Sequence, residues 1–193
     1  HNGLYWHSEE MGKNRNYHLN KTKLCEENGI ELLHVFEDEW KFKRDIIKSV
    51  LLSKLGLYNR RLYARKCVIK EISSKMKNEF LENNHLQGKD KSSVKLGLYH
   101  NNELVSVMTF GKRKITGGGS KYELIRFCNL LNLQVIGGAS KLFNYFLKNY
   151  NCYEITTYAD RRFSNFSKFY NNIGFVLSHA SNPNYFYVDR VFE

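Results

Sequence analysis

Apolar residues recur at helical spacing through residues 13–28, and Gly29 follows as a C-terminal cap. Residues 30–36, IELLHVF, form a short apolar run that predicts a strand. Glu37-Asp38-Glu39 then opens a second helix, acidic where the macrodipole is positive. Ile46, Ile47, Val50, Leu51 and Leu55 give that helix a buried stripe, and Gly56 ends it. Further on, residues 63–72 alternate as a strand, Ser73 caps a helix running to Asn83, and residues 94–99 and 103–110 flank His100-Asn101-Asn102 as a β-hairpin. Residues 111–119 read as a flexible basic loop containing Gly117, Gly118 and Gly119. A strand at 124–131 leads through a glycine turn into a helix carrying Leu142, Phe143, Phe146 and Leu147 on one face. A strand at 154–158, a helix at 164–172 and a strand at 185–188 complete the pattern, and residues 1–7 read as the end of a strand already in progress.

Charge divides this pattern in two. Residues 1–56 hold 9 Lys/Arg against 9 Asp/Glu, whereas residues 57–193 hold 21 against 10, so the whole excess of +11 falls in the second part. Lys and Arg that neutralise phosphates release counterions, so the second part is suited to a polyanion such as nucleic acid, or to a phosphate-rich cofactor. The change of balance follows Gly56 and sets the expected boundary: 1–56 as one part and 57–193 as the other. With 42% hydrophobic and 15% aromatic residues the chain can bury a core, and no apolar run is long enough to span a membrane. Cys25, Cys67, Cys128 and Cys152 are widely spaced, without a CxxC pair, so reduced thiols in a cytoplasmic protein are expected rather than a zinc knuckle.

Chemistry concentrates in residues 122–175. Gln134-Val135-Ile136-Gly137-Gly138-Ala139-Ser140 follows a strand and opens a helix, and backbone N–H groups at such a point converge on an anion. That turn resembles the Q/R-x-x-G-x-G/A turn of the GNAT acyltransferases, and Phe169-Tyr170-Asn171-Asn172-Ile173-Gly174-Phe175 resembles a later segment of the same family. The resemblance, over roughly residues 60–190, implies a CoA-type donor whose pyrophosphate sits on residues 134–140, and a tyrosine, Tyr170, that protonates the departing thiolate. Within it, Glu123-Leu124-Ile125-Arg126-Phe127, Tyr158-Ala159-Asp160, Tyr170 and His85 resemble the phage Mom-type proteins, GNAT-like modifiers of adenine in DNA. That narrower likeness implies functional roles for His85, Arg126, Asp160 and Tyr170. Plainer roles stand beside them: an ion pair of Arg126 with Asp160, a helix-end His85, a core Tyr170 and a tight corner without a ligand.

The first part carries a different likeness. NGLYWHSE followed by YHLNKTKLCEENGIELLHVFEDEW resembles the Vsr-like branch of the PD-(D/E)xK nucleases, which includes phage homing endonucleases. It implies His7 and His18 as active-site groups and a divalent metal such as Mg²⁺ in an intact site, whose acidic ligand belongs on a strand before Asn2. No complete metal site is therefore expected in these residues, and Glu37, Asp38 and Glu39 read as a helix cap. Together these readings give an α/β (α+β) chain: a partial Vsr-like nuclease segment, then a GNAT-like acyltransferase-fold domain with a mixed, mostly antiparallel sheet. They imply double-stranded DNA and a CoA-type donor as partners, in the cytoplasm of a phage-infected bacterial host. The leading expectation is a phage-type DNA endonuclease whose GNAT-like domain binds or modifies DNA, in which this segment itself does not cut. The alternatives are a GNAT/Mom-like acyltransferase acting on a nucleobase amine and a non-catalytic DNA-binding module. Lys112, Arg113, Lys114, Arg161 and Arg162 are the expected phosphate contacts.

Overall fold

A computed structural model describes residues 12, 16–113, 120–164 and 168–182. In chain order its elements are α1 (Tyr17–Glu27), α2 (Glu37–Phe42), α3 (Arg44–Lys54), β1 (Arg60–Tyr63), a 3₁₀ turn (Ala64–Lys66), β2 (Val68–Glu71), α4 (Ser74–Asn84), β3 (Val94–His100) and β4 (Glu103–Arg113). There follow β5 (Lys121–Asn129), β6 (Leu133–Ile136), α5 (Gly138–Asn149), β7 (Glu154–Thr157), α6 (Arg161–Ser164) and α7 (Phe169–Asn172). The chain divides into two compact units: a central one, Arg44–Ala159, and a split one formed by His1–Lys43 with Asp160–Glu193.

The central unit is built around the β3–β4 hairpin. Asn101 and Asn102 both adopt left-handed backbone angles, φ 48° and 65°, as a two-residue turn needs if it is to match strand twist. β5 adds antiparallel to β4, β2 antiparallel to β3, and β7 parallel to β5, giving a mixed, mostly antiparallel sheet in the order β2-β3-β4-β5-β7. Strand alternation sends Phe110 and Tyr122 to one face, where Phe146 of α5 stacks on Phe110 at 3.7 Å and meets Tyr122 edge-on at 5.0 Å. Val107 points to the other face, against Ile72 and against Phe80 and Leu81 of α4. Ser73 caps α4 by accepting a hydrogen bond from the Met76 amide at 3.2 Å. A second, two-stranded parallel sheet pairs β1 with β6, Tyr63 lying opposite Ile136.

Under the α4 face runs a buried ionic network. Lys77 Nζ lies 2.7 Å from Asp90 Oδ1, both side chains being only 3% exposed. Thr109 Oγ1 donates to Asp90 Oδ2 at 2.5 Å, and the Ser92 amide donates to Oδ1 at 3.0 Å. Burial alone raises the Asp90 pKa, but the hydrogen bonds from Lys77, Thr109 and Ser92, with the Lys77 charge, outweigh it and hold the carboxyl below its ordinary value.

The split unit is held differently. The His34 ring is buried, 5% exposed, with Nε2 at 2.8 Å from Thr22 Oγ1. That hydroxyl donates to the His18 carbonyl at 3.0 Å, so Nε2 carries the proton toward it. Burial first, then the charges of His18, Lys21 and Arg162, lowers the His34 pKa to about 4. Arg162 forks between Asp160, 2.7 Å from Nη2, and Glu39, 2.9 Å from Nη1, and its guanidinium lies 4.9 Å from the Phe36 ring centroid. A carboxylate on each side and a ring beneath tie sequence-remote segments together.

Several expectations change. Residues 30–35 are not a strand, and only Phe36 has bridge geometry; an apolar run becomes a strand only where a neighbour offers its backbone groups. The long helix from Glu37 is two helices broken at Lys43 (φ −131°), and Leu55, placed in its buried stripe, is 72% exposed. The strand at 63–72 is interrupted by the 3₁₀ turn, and of the expected helix at 164–172 the described residues place Ser164 at the end of α6, Lys168 outside any helix and the rest in α7, residues 165–167 lying outside them. Leu147 is exposed although Leu142, Phe143 and Phe146 are buried. His7, Lys114, the glycines at 117–119 and the strand at 185–188 lie outside the described residues.

Candidate active site

The central unit brings two backbone features together on one run of chain. The first is a bulge in β5. Thr109 of β4 faces Arg126 and Phe110 faces Leu124, so Ile125 has no partner. An extra residue bends the strand and sharpens its twist. β7 follows β5 only from Lys121 to Leu124, where Thr157, its last residue, donates its Oγ1 hydrogen to the Leu124 carbonyl at 3.0 Å. Among the described residues no strand continues β7 alongside residues 125–129 of β5, so the parallel pair opens at the bulge. Thr109 supports the bulge, accepting the Arg126 amide on Oγ1 at 3.1 Å while donating to Asp90. The buried Lys77–Asp90 pair thus fixes the backbone position from which Arg126 projects.

The second feature is the glycine turn after β6. Gly137 takes φ +76°, a left-handed conformation that suits glycine. A Cβ on Gly138 would stand 3.0 Å from Val135 Cγ1, so this position admits no side chain without displacing its neighbour. Gln134 and Val135 lie on β6, Ile136 ends it, and Ala139 and Ser140 belong to the first turn of α5. Lys141, also in that turn, donates from Nζ to the carbonyls of Ala64, at 2.9 Å, and Cys67, at 2.5 Å. The Lys141 amide already donates to the Gly137 carbonyl at 3.0 Å, but the amides ahead of it in the turn have no carbonyl a turn earlier in the helix and favour negative charge.

The expected side chains fall in both units. In the central unit, Arg126 Nη1 donates to the Ile125 carbonyl at 2.9 Å, while its buried Nε has no hydrogen-bond partner among the described residues. Cys128, two positions on, has its thiol pushed up by burial, which the Arg126 charge opposes and the Asp90 charge reinforces. His85 follows the last turn of α4 and accepts the Gln87 amide on Nδ1 at 3.1 Å. Lys112 is exposed at the end of β4, and Arg113 pairs there with Glu123 at 2.5 Å.

In the split unit Asp160 precedes α6, receives the Arg162 amide at 3.0 Å and is bound by its guanidinium. Arg162 is thereby matched to two carboxylates, and Arg161 lies 3.6 Å from Glu26. Tyr170 of α7 packs edge-on against Phe169 and Phe175. Burial first, then the Asp160 charge, raises its pKa. His18 sits edge-on to His34 at 5.1 Å and to Phe36 at 5.9 Å. The sequence reading missed Lys77, Asp90, Thr109 and the Ile125 bulge. A lysine at the first position of the stripe Lys77, Leu81, Asn84 was the available signal for the first of these; nothing local marked the bulge.

No protein-family model matches this sequence, and no curated protein matches it. Solved structures do. An aminoglycoside acetyltransferase, meta-AAC0020, from an uncultured soil metagenomic sample and in complex with trehalose, is 13% identical, with a TM-score of 0.51 over 65% of this chain and 98% of that one. Arabidopsis thaliana Naa50, in complex with the bisubstrate analogue CoA-Ac-MVNAL, is 16% identical, with a TM-score of 0.50 over 59% of this chain and 85% of that one. Identities this low speak for the fold alone. Neither structure is a nuclease. The mixed, mostly antiparallel sheet with its helices is consistent with a GNAT acyltransferase fold.

Proposed function

We propose that the central unit binds a CoA-type thioester and that the protein transfers its acyl group to an amine. The observation that supports this most is that one run, β5 through α5, combines a strand edge left open beyond a bulge with a turn of converging amides. An open edge pairs with an extended, amide-bearing ligand such as the pantetheine arm. The turn, from Gln134 through Val135, Ile136, Gly137, Gly138 and Ala139 to Ser140, receives the pyrophosphate. In the reaction the amine lone pair attacks the thioester carbonyl, the C–S bond breaks, and the thiolate leaves with a proton. The sequence likeness alone names Tyr170 as the acid; within its own unit, burial and the Asp160 charge keep its hydroxyl protonated. His85 takes the proton of the attacking amine, the role that the sequence likeness alone also allows Asp160, and Arg126, with Nε uncommitted among the described residues, steadies an anionic group of substrate.

The acceptor we favour is an exocyclic amine of a nucleobase in DNA, because the basic excess lies with the proposed donor site. Lys112 of the central unit is the described phosphate contact we retain, since Arg113, Arg161 and Arg162 already face carboxylates. The division into a nuclease-like part, 1–56, and a GNAT-like part, 57–193, remains part of the proposal. For the nuclease part only the sequence likeness speaks. Among the described residues no three His, Cys, Asp or Glu side chains gather to hold a metal, and no helix is long and apolar enough to cross a membrane.

Incubation with acetyl-CoA and either duplex DNA, single-stranded DNA or a peptide amine tests the reading. Release of free thiol together with a nucleoside heavier by one acetyl group is expected with DNA. Thiol release with the peptide alone would move the acceptor away from DNA, and no transfer to any amine would reject the enzymatic reading.

A further inference from the structure

The outer face of β1 and of the turn that follows it has no part in the proposed acyl-transfer chemistry, and its composition is unusual. Residues 44–159 hold 20 Lys/Arg against 8 Asp/Glu, so the entire positive excess belongs to the central unit. On β1, Leu62 turns inward and Arg61 and Tyr63 turn outward. Arg61 sets its guanidinium 5.4 Å from the Tyr58 ring, and Arg65, on the 3₁₀ turn, lies 4.9 Å from the Tyr63 ring. Although Arg65 covers one face of the ring, Tyr63 remains 48% exposed, and Ile136, its partner across the sheet, is 39% exposed. Among the described residues no carboxylate pairs with Arg61, Arg65 or Lys66.

This face is held in place. Lys141 ties the Ala64 and Cys67 carbonyls to α5, so the turn that carries Arg65 and Lys66 is anchored at both ends. Unpaired cations interleaved with exposed rings on a fixed backbone are what a single-stranded nucleic acid requires: phosphates meet the cations and unpaired bases stack on the rings. A duplex buries its base faces and gains nothing from the rings, and an acidic protein would gain from the cations alone.

We infer that the Tyr58–Lys66 arm is a binding surface for single-stranded nucleic acid. The inference does not depend on the acyl-transfer reading. Fluorescence anisotropy of the 193-residue chain with a labelled oligothymidine of roughly a dozen nucleotides tests it against a duplex of equal length. The single strand is expected to bind more tightly than the duplex. Tyr63→Ala is expected to weaken the single-strand complex about tenfold with its salt dependence unchanged, since one base loses its stacking partner. The exposed double variant Arg65→Ala/Lys66→Ala, which touches no core residue, is expected to reduce the log–log salt slope by about 1.4. Duplex binding as tight as single-strand binding, wild-type affinity in Tyr63→Ala with an unchanged melting temperature, or an unchanged slope in the double variant would overturn the inference. Inorganic polyphosphate displacing the oligonucleotide equally from wild type and Tyr63→Ala would do the same, because it would reduce the surface to charge.

Discussion

The two units use charge in opposite ways. In the central unit the charge most deeply committed to structure is one ion pair, Lys77–Asp90, sealed under a sheet whose stability comes from packed apolar side chains, while most of the other cations reach solvent. Among the described residues of the split unit no hydrophobic side chain is fully buried, and Arg161 and Arg162 with Glu26, Glu39 and Asp160 join segments that are remote in sequence. A unit closed by apolar contacts can leave its surface positive for a ligand. One closed by ion pairs and a neutral buried histidine depends on the solution around it.

The largest effect should come from the sealed pair. Asp90→Ala leaves a buried ammonium unmatched and withdraws the acceptor that orients Thr109, so a loss of about 3–5 kcal/mol is expected in urea denaturation followed by far-ultraviolet circular dichroism. A loss under about 1 kcal/mol would mean that the pair is not sealed. Next is the pH response of the split unit. The unfolded chain takes up a proton on His34 below about 6.5, whereas the folded one refuses it until about 4. Stability therefore falls as pH drops through that window, by up to about 1.4 kcal/mol per pH unit, and the term is absent above it. Trp40, on α2, gives this unit a fluorescent reporter; His34→Gln should flatten the slope. The smallest effect belongs to the exposed Arg60–Glu103 pair of the central unit, 48% and 43% exposed, where Glu103→Gln should change stability by under about 1 kcal/mol. A larger change there would erase the contrast between buried and exposed charge.

Local chemistry was legible in the sequence where it acts locally. The asparagine turn at 101–102, the Ser73 cap, the glycine turn and most of the α5 stripe follow from backbone preference and spacing, and all appear. Features set by a partner elsewhere were not legible. Residues 30–36 have the composition of a strand, but the structure gives bridge pairing to Phe36 alone and none to 30–35. Residues 63–72 read as one strand, yet β1 pairs with β6 and β2 with β3, so the chain must turn between them. The Ile125 bulge exists only in the register of β5 against β4, and the partner of Lys77 lies 13 residues away. Of the proposed site, the sequence located the glycine turn. The support that Asp90 and Thr109 give to Arg126 needed coordinates.

The central claim, that the glycine turn holds the pyrophosphate of a CoA-type donor, is tested most directly by calorimetric titration of CoA into wild type, Gly137→Val and Ser140→Asp. A β-branched residue cannot hold φ +76° without strain, so Gly137→Val should disperse the amides. Ser140→Asp places a carboxylate in the first turn of α5, where it should favour the helix by roughly 0.3–1 kcal/mol while repelling a phosphate. The account predicts saturable binding to wild type, loss of binding in both variants, and a melting temperature for Ser140→Asp no lower than wild type. CoA bound equally by all three proteins, or by none of them, would contradict it.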